Sequence, residues 1–386
     1  MLERLKPQPA DAILHLMQAF RDDPRPGRID LGVGVYKDAA GRTPVMAAVR
    51  RAERRIWEEE ETKTYTSMAG DAAFLDAMRR MILGRTDGAA IATVGGTGAL
   101  RQALDLVRGT TPEATVWLSA PTWPNHPALI DHAGLRRAEY RYLDPATGGI
   151  DLPGLMEDLG RVAPGDIVLL HGCCHNPTGA NPTEEEWGII AALLERAGAI
   201  PLIDLAYQGF GDGVEADAAA TRRLAAQLPQ AMIAASCSKS FGIYRERAGA
   251  LLVLGGVRAL VQDNLAALNR MTISFPPDHG ARVVATILDD PGLNAEWRAE
   301  LEAIRLGMIR TREALAGALT AACGTDRFAF VARHRGMFSR LGLPPAQVEA
   351  LRRDHGVYML GDSRINIAGL RAEDVPRLAE AVAATG

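Results

Sequence analysis

Lys239 stands in Ser236-Cys237-Ser238-Lys239-Ser240, directly after the apolar run Ala231–Ala235. An amine at a strand end in a dry crevice loses affinity for its proton, and the free amine can form a Schiff base with a carbonyl. A lysine taken alone is more often a solvated surface charge, so its neighbours decide. The serines offer hydroxyls and backbone amides that suit a phosphate. Arg247 could add bidentate recognition of the same anion, or serve an ion pair. Asp204 follows the apolar Pro201-Leu202-Ile203. A buried carboxylate needs a partner. A helix cap or a structural ion pair would do, and so would the protonated ring nitrogen of a cofactor. Tyr207, three residues on, reads either as a core tyrosine or as a hydroxyl donor beside the lysine.

Val94-Gly95-Gly96-Thr97-Gly98 precedes Arg101–Val107, which is good helix material. A glycine-rich turn that opens a helix can bind an anion on free N–H groups at the positive end of the dipole. It is neither a P-loop nor the Gly-x-Gly-x-x-Gly dinucleotide fingerprint, so a nicotinamide-dependent dehydrogenase is not expected. Arg364 precedes alternating apolar residues on an expected strand. A guanidinium there suits a carboxylate substrate or an ion pair. Arg270 reads as the opening of an irregular extended stretch toward Ser274-Phe275-Pro276-Pro277. Trp123, between prolines in a loop after a strand, either stacks on a planar ring or fills a corner. Cys173-Cys174-His175 invites a metal reading. No second Cys/His pair stands at ligand spacing, so these read as plain buried or loop thiols and no metal is expected.

These residues need a frame. Thr115–Leu118, Ile167–Leu170, Ile200–Ile203, Ala231–Ala235 and Ala250–Leu254 read as buried strands. Pro182–Ala197 reads as a helix, with Thr183 as N-cap and Glu184–Glu186 in its first turn. Strands alternating with helices argue for an α/β fold around a parallel sheet with helices on both faces, where ligands sit beyond the carboxyl ends of the strands. Several candidates follow such ends. The chain turns helical beyond Pro291, and Trp297–Ala321 is a long amphipathic pattern. The expected division is a large domain over 44–299 and a smaller α/β lobe from 1–43 and 300–386.

Composition agrees with an ordinary globular chain: 386 residues, 47% hydrophobic and 23% charged. A net charge of −4 gives no support to a nucleic-acid or membrane-surface role. Met1–Pro9 carries charges and prolines without an apolar core segment, so no secretory signal is expected. The longest apolar stretch, Gly188–Leu194, is too short for a membrane span. Four cysteines in a chain of this length fit reduced thiols in the cytoplasm.

Three stretches, in this order, resemble the fold-type I pyridoxal phosphate aminotransferases of the aspartate and aromatic amino acid branch. They are His175-Asn-Pro-Thr-Gly179, Asp204-Leu-Ala-Tyr-Gln-Gly209 and Ser236-Cys-Ser-Lys-Ser-Phe-Gly242 with Glu246-Arg247. The similarity runs from Leu31 to Gly369. It implies a mostly parallel central sheet in the large domain and pyridoxal 5′-phosphate as cofactor. By this resemblance Lys239 would hold the cofactor and carry the proton of the substrate's α-carbon. Asp204 would pair with the ring nitrogen, with His126 behind it. Tyr207 and Asn176 would bond the ring's phenolic oxygen, and Trp123 would stack on the ring. Gly96, Thr97, Ser236, Ser238 and Arg247 would surround the phosphate, and Tyr65 would reach the phosphate of the neighbouring subunit. Arg364 would bind the substrate's α-carboxylate, and Arg270, also from the neighbour, a distal carboxylate. Gly34 would lie near the substrate on a closing lobe. A homodimer with shared sites follows, taking amino acids and 2-oxo acids as substrates.

Gly95 stands where aspartate-preferring relatives often carry serine, and Ile273 and Phe275 replace more polar neighbours. Gly95-Gly-Thr-Gly, His171-Gly-Cys-Cys-His and Arg335-Gly-Met-Phe-Ser-Arg-Leu-Gly look more like the aromatic-accepting members. The expected activity is therefore transfer of the amino group of aromatic amino acids and of aspartate or glutamate to a 2-oxo acid such as 2-oxoglutarate, by a ping-pong mechanism. A strict aspartate aminotransferase, a decarboxylase or lyase on the same fold, and a non-catalytic cofactor-binding module are the alternatives.

Overall fold

Short apolar runs bounded by polar residues become strands here: β1 Ala89–Val94, β2 Thr115–Ala120, β3 Arg136–Arg141, β4 Ile167–His171, β5 Ile200–Leu205, β6 Ala231–Ser236 and β7 Ala248–Leu254. They form one sheet in the order β1-β7-β6-β5-β4-β2-β3. β4, β6 and β7 are buried along their whole length. This is why they read as unbroken apolar runs and not as alternating ones. β3 lies at the edge and carries Arg136, Arg137, Glu139 and Arg141 with only Tyr140 buried, so it has no apolar signature.

The sheet is mostly parallel, as expected, and β7 is its exception. It runs antiparallel to both β1 and β6, while the other pairs are parallel. The segment 237–247 that joins β6 to β7 holds no helix, and a parallel return needs a long crossover connection. The reversal has a use. Val94 pairs with Ala248 and Ser236 with Gly249, so the start of β7 shares an edge with the ends of β1 and β6.

The helix Gly95–Thr110 buries Ala99, Leu100, Ala103, Leu104 and Val107 with Val116, Leu118, Ile167 and Leu202 of the sheet in one core. The expected helix near 182–197 spans Glu184–Ala197. Thr183 accepts from the Glu186 N–H while Glu186 reaches back to the Thr183 N–H, a reciprocal cap that ties the helix start.

The structure, a computed structural model, describes residues 1–6 and 12–386; the prolines of the N-terminal segment lie outside the described residues. The chain divides into two units, Pro44–Gly307 and Met1–Thr43 with Met308–Gly386. In the second, Phe338–Arg340 pairs antiparallel with Arg364–Asn366, and Ile29–Asp30 pairs parallel with Val357–Tyr358. The long helix expected beyond Pro291 spans Pro291–Cys323. Its Arg312, 1% exposed, donates to the carbonyls of Gly336 (2.8 Å) and Phe338 (2.7 Å) and to Ser339 Oγ (2.6 Å), so it holds the strand that carries Phe338. No helix of the described residues is long and apolar enough to cross a membrane.

Candidate active site

Five strand ends and one strand start bring the expected residues of the larger unit, Tyr65 and Arg270 apart, to one sheet edge. Gly95 to Thr97 follow β1. Trp123 and His126 follow β2, and Asn176 follows β4. Asp204 lies in β5 with Tyr207 just beyond it. Ser238 and Lys239 follow β6, and Arg247 precedes β7.

Asp204 is buried and bonded to His126 Nε2 at 3.0 Å. Burial pushes its carboxyl up. The hydrogen bond from His126, aided by the nearby His171 and Lys239 side chains, outweighs this and holds it below the ordinary value. His126 Nδ1 meets Thr122 Oγ1 at 2.8 Å, and the same hydroxyl lies 3.3 Å from His171 Nε2. A neutral ring that gives its Nε2 proton to a carboxylate accepts at Nδ1. The chain of donors therefore runs from His171 through Thr122 and His126 to Asp204.

Burial also pushes the Lys239 amine down. The Asp204 carboxylate opposes this and the Arg247 cation adds to it, and the net shift is downward. Lys239 Nζ lies 5.0 Å from the Tyr207 ring centroid, and Asn176 Nδ2 donates to Tyr207 Oη at 3.4 Å. Arg247 donates to Ser238 Oγ at 3.2 Å and to the Tyr244 carbonyl at 2.9 Å. Two glycines make room for this corner. Gly95 has φ +67°, and a Cβ on it would stand 2.4 Å from Arg247 Nη2; a Cβ on Gly96 would stand 2.9 Å from Ser236 Cβ.

Trp123 meets the His126 ring edge-on at 5.2 Å. Arg270 is not at the opening of an extended stretch as expected. It sits in the last turn of the helix Arg258–Thr272. Val261, Leu265 and Leu268 recur at helical spacing and pack against the core, and the turn at Ser274 (φ 65°) ends the element. Arg270 donates to Ser274 Oγ at 2.6 Å and lies 5.8 Å from the Phe275 ring, on which the 79% exposed Tyr65 stacks at 4.6 Å.

In the smaller unit Arg364 is 2% exposed. It donates to the Gly32 carbonyl at 2.9 Å and its guanidinium lies 4.3 Å from the Phe338 ring. Asn366 Nδ2 donates to the carbonyls of Val33 (2.5 Å) and Val35 (2.8 Å) and so fixes Gly34 between them.

Sequence reasoning assigned no role to His171 or Thr122. Yet His171 ends β4, and the strand-end rule that found Asp204 reaches it as well. Burial pushes His171 down to about 3; the neighbouring His126 adds to this and Asp204 opposes it. Between about 3 and 6.5 the unfolded chain takes up a proton that the native chain refuses, so stability falls as the pH drops through that window. His171→Gln is expected to flatten the decline. Urea midpoints measured across the window check this, and parallel curves for the two proteins would contradict it.

A buried amine, a buried carboxylate held ionised and a glycine–serine–arginine corner at one edge form a set that fits an aldehyde-bearing pyridine phosphate. Its aldehyde, ring nitrogen and phosphate match these three groups. The profile of the family described as aminotransferase class I and II matches residues 26–382. The chain belongs to that family. It is 57% identical to the aromatic-amino-acid aminotransferase of Paracoccus denitrificans over the full length of both, and 41% identical to the aspartate aminotransferase of Escherichia coli (strain K12), again over both full lengths. Among solved structures, the aromatic-amino-acid aminotransferase from Burkholderia pseudomallei covalently bound to pyridoxal phosphate superposes with a TM-score of 0.97 at 38% identity, over 100% of this chain and 99% of that one. The fold is the α/β fold of these transferases, and the aminotransferase works with pyridoxal phosphate.

Proposed function

We propose that the chain is an aminotransferase for aromatic amino acids and for aspartate and glutamate, with a 2-oxo acid such as 2-oxoglutarate as acceptor. The observation that carries the reading is the buried Lys239 beside the ionised Asp204 at one sheet edge. The 57% identity to an aromatic-amino-acid aminotransferase supports the substrate class. When bound, pyridoxal phosphate supplies an electron sink for the charge left at the substrate's α-carbon. Lys239 holds it through Nζ and then carries the α-proton. The downward shift of Lys239 leaves more of the amine free to accept that proton than an ordinary lysine would. Asp204, kept ionised by His126, pairs with the protonated ring nitrogen. Tyr207 and Asn176 would bond the ring oxygen, and Trp123 would stack on the ring. Gly96, Thr97, Ser236, Ser238 and Arg247 take the phosphate.

On the smaller unit, Arg364 receives the α-carboxylate. The Gly32 carbonyl and the Phe338 face hold its fork in one plane. Gly34 leaves the Phe338 ring clear, since a side chain there would stand 3.1 Å from it. Residues 44–299 are taken as the cofactor-holding domain, and 1–43 with 300–386 as the smaller one. The chain acts as a homodimer in which Tyr65 reaches the partner's phosphate and Arg270 reads the distal carboxylate in the partner's site. Tyr65, exposed and stacked on Phe275, and the exposed Met68 and Met271 support such an interface. Four cysteines without a disulfide suit the cytoplasm.

The reading is tested by single half-reactions of the cofactor-loaded protein with aspartate and with phenylalanine, followed by absorbance. Both donors should shift the cofactor band, and 2-oxoglutarate should restore it. A response to aspartate alone would make the enzyme a strict aspartate aminotransferase, and a response to neither would overturn amino transfer to these donors. Gly95→Ala should raise the dissociation constant of pyridoxal phosphate about tenfold, because its methyl displaces Arg247 and a charged hydrogen bond is worth roughly 1.5–3 kcal/mol. Equilibrium dialysis measures it, and an unchanged constant would remove Arg247 from the phosphate site.

A further inference from the structure

Cys173 and Cys174 take no part in the reaction described, yet their placement is unusual. Successive side chains of an extended segment point to opposite sides. Cys174 has φ 52°, and the turn this makes brings both sulfurs to one side. The two Sγ atoms and a carboxylate oxygen of Asp217 all lie within 4.8 Å of one another, and all three residues are buried. Asp217 is rigidly placed. Its Oδ2 accepts the N–H groups of Gly209 (2.8 Å) and Gly211 (2.9 Å), and its Oδ1 accepts that of Asp212 (2.8 Å). Each carboxylate oxygen has two acceptor positions, so Oδ1 keeps one for a further ligand. Cys173 and Asp217 line a cavity of about 460 Å³ whose rim includes the exposed Asp212, Glu184 and Arg223. That cavity supplies an entry path.

We propose that Cys173, Cys174 and Asp217 form a binding site for a thiophilic divalent ion of the zinc class, and that filling it slows the enzyme. Two thiolates and a carboxylate give three protein ligands and leave one coordination position open toward the cavity. Both thiols release their protons to water as the ion binds. Metal–sulfur bonds of about 2.3 Å at tetrahedral angles set the sulfurs roughly 4 Å apart, so the free arrangement needs only a small closure. Cys174 Sγ lies 3.9 Å from the Tyr207 carbonyl, and Asn176 is two residues further along the chain. Closure around an ion draws on both residues that face the cofactor ring.

Cadmium titrated into the cofactor-loaded full chain tests this. One equivalent should produce a sulfur-to-cadmium charge-transfer band and lower turnover at least fivefold, and a chelator should reverse both. Cys173→Ser/Cys174→Ser should lose the band and the sensitivity, while Cys323→Ser keeps both. A band that persists in the double variant, or none in the native chain, overturns the site; binding with unchanged turnover overturns its effect on the enzyme. Alkylation mapping of the native chain gives an arm without variants. Cadmium should protect Cys173 and Cys174 but not Cys323, and protection of all three alike or of none overturns the proposal. The absorbance and labelling readouts do not depend on turnover, so they stand apart from the proposed reaction.

Discussion

Replacing Lys239 by alanine should lower kcat about ten-thousand-fold, the upper end of what one acid–base group contributes. Steady-state turnover of aspartate with 2-oxoglutarate measures it. Lys239→Arg should lose as much, because a guanidinium keeps the charge but does not give up its proton at working pH. That pair of variants separates proton transfer from mere charge. The alanine variant should still fold. Burial pushes the Lys239 amine down, so below its ordinary value of 10.5 the native chain binds fewer protons there than the unfolded chain does. Removing the amine relieves that cost. Multiple turnovers by Lys239→Ala at the native rate would sink the assignment.

Arg270→Leu should reduce kcat/KM for aspartate about a hundred- to thousandfold and leave phenylalanine within about tenfold. Truncating one partner of a desolvated charge pair costs roughly 2–5 kcal/mol, and a phenyl side chain makes no such pair. The loss should fall mainly on KM. Among the described residues the Arg270 side chain hydrogen-bonds only to Ser274, so the helix end should survive the change. Equal losses for both donors would mean that Arg270 does not read the side chain. Mixed dimers of Lys239→Ala and Arg270→Leu chains add a second test. If Arg270 serves the partner's site, one site of each mixed dimer holds both native residues and aspartate turnover returns. If it serves its own site, no site does and turnover stays low.

Much of this enzyme was legible in the sequence because its chemistry is tied to strand ends. A buried parallel strand must be apolar, so Ile167–Leu170, Ile200–Ile203 and Ala231–Ala235 announce themselves, and the polar residues that follow each one share an edge. Asp204, Tyr207, Ser238 and Lys239 were found in that way. Local signals also placed the Thr183 cap. Features that depend on the partner strand or on distant residues were not legible. The direction of Ala248–Leu254 depends on how residues 237–247 return, which its own apolar run does not encode. The charged edge strand Arg136–Arg141 shows no burial pattern, and the helix around Arg270 is defined by what Leu265 packs against. The three-link chain from His171 to Asp204 joins the ends of β2, β4 and β5. The convergence of Cys173, Cys174 and Asp217 likewise needs a backbone turn at one position and a short 3-10 helix more than forty residues away. Sequence determined which residues could do chemistry, because residue type and burial are local properties. Tertiary structure alone decided which of them meet, because a pKa or a ligand set depends on atoms within a few ångströms, whatever their separation along the chain.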